Sequence, residues 1–170
     1  MQENTPEIHV AEASEEDIAA IADFLLAMWE EAGPDAPGLA GATDEIISEI
    51  AKAESIRARI GGPERRMYVA YAESSIVGFA ATRKTSTSQI ELAGIMVLPS
   101  MVGRHIGSPL LTAAIDGARA LGFHRMTVST EVDNERALGF YEARGFIIVG
   151  ESAADVAGTE VPVTDLALEL

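Results

Sequence analysis

The chain has 170 residues, a net charge of −15 and no cysteine. This length fits one domain with a sizeable core, and the lack of cysteine excludes disulfides, thiolate metal sites and cysteine nucleophiles. Nucleic acid is not expected as the main partner, because such binding neutralises phosphates with Lys and Arg. The first residues are acidic and polar, and no apolar run approaches the ~18 residues of a membrane span. We therefore expect a single domain over residues 1–170, cytoplasmic and without a membrane partner, whose oligomeric state stays open, a homodimer included.

The first half of the chain is predicted to form one strand and two helices. Residues 8–11 read as a short strand, and Ser14 followed by Asp17 is typical of a capping box that starts a helix. This helix has its apolar residues at helical spacing: Ile18, Ile21, Ala22, Leu25, Met28 and Trp29. After a loop rich in proline and glycine at 33–42, a second helix is predicted from about Thr43 to the glycines at 61–62. Its apolar stripe is Ile46, Ile50, Ala53, Ile56 and Ile60.

The second half changes to apolar alternation and short apolar runs, which are typical of strands. Strands are predicted at 67–72, 74–84, 89–99, 125–130, 146–151 and 161–170, with a tight turn between the first two. An amphipathic helix is predicted at 106–121 and a short helix at 134–144.

The strand at 89–98, the helix at 106–121 and the strand at 125–130 should form a right-handed parallel crossover. Ligands of open α/β sheets tend to bind at the carboxyl ends of such strands, which points to residues 97–108.

The loop VGRHIGSPLL at 102–111 lies in this region. A loop of small residues that leads into a helix can present unpaired N–H groups to phosphate oxygens. Gly103 and Gly107 leave room for a ligand, and Pro109 fits the first helical turn, where its missing N–H loses no helical hydrogen bond. The alternative is an ordinary strand-to-helix turn. Neither a P-loop nor a dinucleotide-binding pattern fits the loop.

Two motifs in the right order connect this loop with a known family. The run ELAGIMVLPSMVGRHIGSPLLTAAI, residues 91–115, resembles the central motif of the GNAT acetyltransferases, a strand ending in V-x-P followed by Q/R-x-x-G-x-G/A and a helix. The run NERALGFYEARGF, residues 134–146, resembles the second motif of the family, an asparagine followed by A-x-x-F-Y and G-F. The resemblance covers residues 65–150 closely and the other elements by order alone. It identifies the chain as a GNAT-type, acetyl-CoA-dependent N-acetyltransferase.

The resemblance implies an α/β fold with a mixed, splayed, mainly antiparallel sheet of about seven strands flanked by four helices, the acyl-CoA N-acyltransferase fold. It also implies acetyl-CoA as co-substrate, with no metal, between the strands at 89–98 and 125–130. Backbone groups of Ile95, Met96 and Val97 would pair with the pantetheine arm. The pyrophosphate would be held by the amides of Gly103, Arg104, His105, Ile106, Gly107 and Ser108.

The splay would come from a β-bulge, which adds a residue and interrupts strand pairing. Ala93 and Gly94 are small enough to host it; their alternative role is simple close packing.

Two residues depart from the family pattern. Val102 stands where Gln or Arg is usual, which removes a side-chain contact but no backbone donor. His105 stands at the first glycine of G-x-G, where a side chain crowds the phosphate. Its imidazole would either donate to a phosphate oxygen when protonated or point to solvent.

The resemblance also implies catalytic roles. Glu91 falls fourteen residues before the first G-x-G position, like the catalytic glutamate of the histone-acetylating branch, and would be the base; otherwise it lies on the solvent face of a strand. Tyr141 matches the tyrosine that stabilises the leaving thiolate, and its alternative is a core aromatic.

The amide of Val97 would donate to the oxyanion. Asn134 would cap its helix or touch the pantetheine. His9 and His124 carry no motif, and no cluster has metal-ligand spacing.

The expected acceptor is a primary amine of a small molecule or peptide. In this fold the acceptor side is built from the first two helices, the loop at 33–42 and the connection at 150–160. Residues 1–62 hold 14 acidic and 3 basic side chains, and 149–170 hold 5 and none. This charge would attract a cationic amine, although a solvated acidic surface explains it as well. The alternative function is a catalytically weak acetyl-CoA-binding regulatory module.

Overall fold

The computed structural model describes residues 5–35, 39, 41–156 and 158–170. These residues form seven strands and five α-helices. The strands are β1 (Ile8–Glu12), β2 (Arg65–Ala72), β3 (Ser75–Lys84), β4 (Gln89–Val97), β5 (Arg125–Glu131), β6 (Ile147–Val156) and β7 (Thr159–Glu169). The helices are α1 (Ile18–Ala32), α2 (Asp44–Ile50), α3 (Ala53–Ile60), α4 (Gly107–Ala120) and α5 (Glu135–Glu142). Within the described ranges, none of these helices has the length and apolar character needed to cross a membrane.

The strands form one sheet in the order β1-β2-β3-β4-β5-β7-β6. Only β4 and β5 pair in parallel; every other neighbouring pair is antiparallel. Because α4 connects the two parallel strands, they form the predicted β-helix-β crossover. The prediction of a mixed, mainly antiparallel seven-stranded sheet is confirmed.

Helices cover both faces of the sheet and bury two cores. Leu92 and Met126 of the sheet pack with Leu110 and Leu111 of α4 on one face. On the other face, Val69 packs with a group of apolar residues from α1–α3: Ile21, Phe24, Met28, Ile47 and Ile56. All of these side chains are at most 2% exposed. The sheet is therefore fixed between two layers of helices.

The predicted number of four helices is wrong, because the second predicted helix is two helices. Lys52 has an extended backbone (φ −66°, ψ 143°), which ends the hydrogen-bonding pattern of α2 and lets α3 start in a new direction. One continuous apolar stripe therefore does not exist. Ile46, which the helical spacing places on that stripe, is 43% exposed, and Ile47 is buried instead.

The two segments expected beside the acceptor have different outcomes. The segment at 150–160, predicted as a connection, is the end of a β-hairpin, since β6 continues to Val156 and β7 begins at Thr159. Within the loop at 33–42, residues 36–38 and 40 lie outside the described residues.

The capping box is confirmed, because the Ser14 N–H donates to the Asp17 carboxylate at 2.8 Å.

Candidate active site

The centre of the candidate site is a bulge in β4. Gly94 lies opposite Ala81 on β3, and Leu92 lies opposite the next residue, Thr82, so that Ala93 has no partner. The predicted bulge at Ala93 and Gly94 is therefore confirmed. Leu92 and Ile95 pack in the same core despite their odd spacing, which is the change of face that an extra residue produces.

Beyond this bulge, β4 and β5 separate. Their parallel pairing covers only three residue pairs and ends where Glu91 lies opposite Thr127. The splayed sheet that the family resemblance implies is thereby confirmed, and a gap opens between the carboxyl-terminal part of β4 and its neighbour.

Backbone amides of β4 face this gap. The N–H of Leu98 donates to the carbonyl of Val77 at 2.9 Å. Because alternate residues of an antiparallel strand turn their backbone polar groups to the same side, Met96 also faces β3. Ile95 and Val97 then direct their N–H groups into the gap. An extended ligand can pair with these two residues like an added strand, whereas the backbone of Met96 is engaged with the sheet.

The loop after β4 presents a set of free donors. A 3-10 turn at Pro99–Met101 leads into it, and α4 begins at Gly107. In the described part of the chain, the N–H groups of Gly103, His105, Ile106, Gly107 and Ser108 have no hydrogen-bond partner. The N–H of Arg104 donates to the carbonyl of Met101 at 3.3 Å. Free donors on a loop at a helix N-terminus fit the pyrophosphate of acetyl-CoA.

His105 has the backbone conformation of a glycine. Its φ is 58° and that of Gly103 is 88°, both in the left-handed region. This region costs a non-glycine residue roughly 1–2 kcal/mol. Both His105 and Val102 are exposed. The loop therefore keeps a path suited to two glycines, although the second position carries an imidazole.

Tyr141 lies in an aromatic cluster on α5. Its ring meets those of Phe140 and Phe146 edge to face, with ring centroids 5.2 and 5.4 Å apart. Burial raises the pKa of Tyr141 to about 12. The hydroxyl therefore stays protonated over the physiological range and is suited to donate a hydrogen bond. Tyr141 is both a core aromatic and a candidate acid, so the two interpretations are compatible.

Arg144 connects α5 with the start of α4, which the sequence did not indicate. Its guanidinium donates to the Ser108 hydroxyl at 2.9 Å and to the carbonyl of Phe140 at 2.8 Å. It also stacks 3.8 Å from the centroid of the Phe140 ring. Gly107 packs closely here, since a Cβ on it would lie 3.4 Å from that ring. These contacts fix the first turn of α4 against the helix that carries Tyr141.

Asn134 caps α5. Its side-chain oxygen accepts a hydrogen bond from the N–H of Ala137 at 3.1 Å. This capping role accounts for the residue, and its contact with pantetheine stays a prediction.

Glu91 lies in an open cavity of about 330 Å³ on the sheet face that α1–α3 cover. Its carboxylate accepts a hydrogen bond from Arg83, which lies directly opposite it on β3. Arg59 and Arg65 also line the cavity, as does the bulged residue Ala93. The predicted base is therefore next to the bulge, in a cavity with three arginines.

The sequence profile of the Acetyltransferase (GNAT) family matches residues 20–146. The chain belongs to this family. Solved structures of GNAT acetyltransferases have a similar fold, which agrees with this assignment. A search among curated proteins finds no match.

Three solved structures illustrate this GNAT fold. PaiA N-acetyltransferase from Thermoplasma acidophilum, in complex with coenzyme A, has a TM-score of 0.72 and 18% identity over 96% of this chain and 99% of its own. A GNAT acetyltransferase from Streptococcus pneumoniae has a TM-score of 0.71 and 21% identity over 96% and 100%. YncA from Salmonella typhimurium, with its cofactor acetyl-CoA, has a TM-score of 0.66 and 20% identity over 96% and 94%.

Proposed function

We propose that this GNAT protein transfers the acetyl group of acetyl-CoA to a primary amine of a small molecule or peptide, by direct attack in a ternary complex. The observation that carries the proposal is the gap between β4 and β5. It has the amides of Ile95 and Val97 on one side and the free donors of Gly103 and residues 105–108 at its end. The coenzyme A complex of PaiA and the acetyl-CoA complex of YncA support the same donor.

The step forms a bond between the amine nitrogen and the acetyl carbon and breaks the carbon–sulfur bond of the thioester. An alkylamine with a pKa of about 10 is almost wholly protonated at pH 7, so it must lose a proton before it attacks. Glu91 accepts this proton, directly or through water, and passes it to solvent. The second proton of the nitrogen leaves as the amide forms, and one proton ends on the sulfur of CoA.

Two other groups act on the charges that develop. The N–H of Val97 donates to the carbonyl oxygen as it gains negative charge. The Tyr141 hydroxyl donates to the departing sulfur. The pKa of Tyr141, about 12, lies above the ~8.5 of a thiol. Tyr141 therefore keeps its proton and stabilises the thiolate by donating a hydrogen bond to it.

The test is release of free thiol from acetyl-CoA in the presence of a panel of amines, with the product identified by mass spectrometry. The chain has no cysteine and so adds no thiol background. We expect thiol release that depends on the amine and yields an N-acetyl product. Binding of acetyl-CoA without amine-dependent release would contradict the proposal.

That contradicting result would favour the alternative, a regulatory module that binds acetyl-CoA without turnover. The observation behind this alternative is His105, a side chain at a left-handed loop position where the family has glycine.

A further inference from the structure

The cavity beside Glu91 is lined by more basic than acidic side chains, although the protein has a net charge of −15. Arg83 on β3 lies directly opposite both Arg65 on β2 and Glu91 on β4. Residues directly opposite in antiparallel strands project to the same face, with Cβ atoms about 5 Å apart. Arg59, in the last turn of α3, approaches from the helix layer that covers this face. Three guanidinium groups and one carboxylate therefore meet in one cavity.

The positive charges of this cavity are incompletely neutralised. Arg83 bonds to Glu91, but Arg59 and Arg65 have no ion-pair partner within the described residues. Burial and the neighbouring Arg65 lower the pKa of Arg59. Like charges this close destabilise a fold unless something compensates them.

Elsewhere in the described residues, several arginines do pair with carboxylates. These pairs are Arg57 with Glu15, Arg66 with Glu12, Arg119 with Asp116 and Arg125 with Glu169. The chain has 27 acidic residues available. Arg104, Arg136 and Arg144 also have no carboxylate partner within the described residues, so what distinguishes Arg59 and Arg65 is that they share one cavity with Arg83.

Two acidic side chains of the first helices are engaged away from this cavity. Asp44 accepts a hydrogen bond from the Trp29 indole at 2.7 Å, and Glu31 accepts one from the Ser100 hydroxyl at 2.9 Å. Among the described residues that line the cavity, Glu91 is the only acidic one and three are arginines, so the lining is positively charged although these segments are acidic overall.

We propose that Arg59 and Arg65 bind an anionic group of the acetyl acceptor, so that the acceptor is an amine that also carries a carboxylate or a phosphorus oxyacid. Guanidinium groups recognise both anions through paired N–H donors. With the anion on Arg59 and Arg65, the amine end of the acceptor lies toward Glu91 and the bulge at Ala93. The inference rests on the proposed acetyl transfer and names the acceptor class of the same site.

The experiment compares matched acceptors and matched variants. Amino acids are compared with their carboxamides, aminoalkylphosphonates with the corresponding alkylamines, and polyamines are included as cationic acceptors. The variants are Arg59→Gln and Arg65→Gln. Arg57→Gln is the control, because Arg57 lies on the same helix, is exposed and pairs with Glu15 outside the cavity.

We expect the anionic acceptors to be preferred over their neutral or cationic counterparts. Arg59→Gln and Arg65→Gln should each raise KM for an anionic acceptor about tenfold or more, with little change for a neutral one. The phosphonate and carboxylate arms show which anion is bound better. Equal use of amino acids and carboxamides, preference for polyamines, or unchanged KM in both variants would overturn the inference.

Failure of this inference differs from failure of acetyl transfer itself. Transfer to neutral amines with unaffected Arg59→Gln and Arg65→Gln variants overturns only the anion site. If no amine is acetylated, calorimetric binding of the same acceptors still tests the anion site. Binding of an amino acid that is lost in these variants supports the site, and binding equal to that of the carboxamide, or no binding, contradicts it.

Discussion

The carboxylate of Glu91 accepts a hydrogen bond from the guanidinium of Arg83, directly across the β3–β4 pair. This contact fixes the carboxylate at the point where the pairing of β4 with β5 ends. The proposed base is thus oriented by a neighbouring strand and lies at the opening of the gap.

Glu91→Gln should lower the transfer rate at pH 7 about 100-fold or more, the usual range for loss of a general base. The residual rate should rise with pH, because the amine must then reach its neutral form without help from the protein. Steady-state rates from pH 6 to 10 measure this. A pH profile identical to that of the wild type would remove Glu91 as the base.

Tyr141→Phe should lose about 100-fold or more of the turnover while acetyl-CoA binding is retained. The ring and its aromatic neighbours stay in place, and only the hydroxyl is lost. Turnover by thiol release and affinity by calorimetry separate the two effects. An unchanged rate would mean that another group stabilises the leaving thiolate.

The raised pKa of Tyr141, about 12, also predicts how stability depends on pH. An unfolded tyrosine has a pKa of about 10, so the folded state keeps a proton that the unfolded chain loses. The stabilisation is complete below about pH 10 and decreases by roughly 2–3 kcal/mol as the pH rises to about 12.

Tyr141→Phe should show a shallower decrease in the free energy of unfolding over this window, measured by denaturant titration. Tyr71, whose pKa is also raised to about 12, is present in both proteins and serves as common background. Equal slopes would contradict the burial of this hydroxyl.

His105→Gly should leave acetyl-CoA affinity unchanged or improve it, and should raise the free energy of unfolding by about 1 kcal/mol as the left-handed strain is relieved. His105→Ala is the matched control, since it removes the imidazole but keeps the strain. Calorimetric titration and thermal melts measure the two properties. A clear loss of affinity in both variants would show that the imidazole itself holds the cofactor.

Two helical glycines should respond to alanine in opposite ways. A Cβ on Gly117 would lie 1.9 Å from the Tyr68 hydroxyl oxygen, whereas a Cβ on Gly139 would meet nothing within 4 Å. Gly117→Ala should therefore destabilise the protein by about 1–3 kcal/mol, and Gly139→Ala should stabilise it by up to about 1 kcal/mol. Thermal melts of both variants test this. Similar effects of both substitutions would contradict the close packing of α4 on β2.

Features that depend on local sequence were predictable. The capping box at Ser14 and the helix α4 follow from residue type and spacing within a short segment. The bulge at Ala93 was implied by the family resemblance, since the small residues there fit close packing as well. The family motifs indicated the functions of the loop at 102–111 and of Tyr141, which the spacing of residues alone does not determine.

Features that depend on strand register were not predictable. Arg65, Arg83 and Glu91 meet only because two hairpins bring three separate strands into a particular register. The contact of Arg144 with Ser108 needs the docking of α5 on α4. The division of the second helix at Lys52 follows from a single extended residue within an otherwise continuous helical pattern.

The central claim, acetyl transfer to an amine, is tested most directly with acetyl-CoA labelled in its acetyl group. We expect the label to appear on the nitrogen of an amine acceptor in a one-to-one ratio with released CoA. Label recovered as free acetate, or acetyl-CoA that stays bound and intact with every amine, would contradict it.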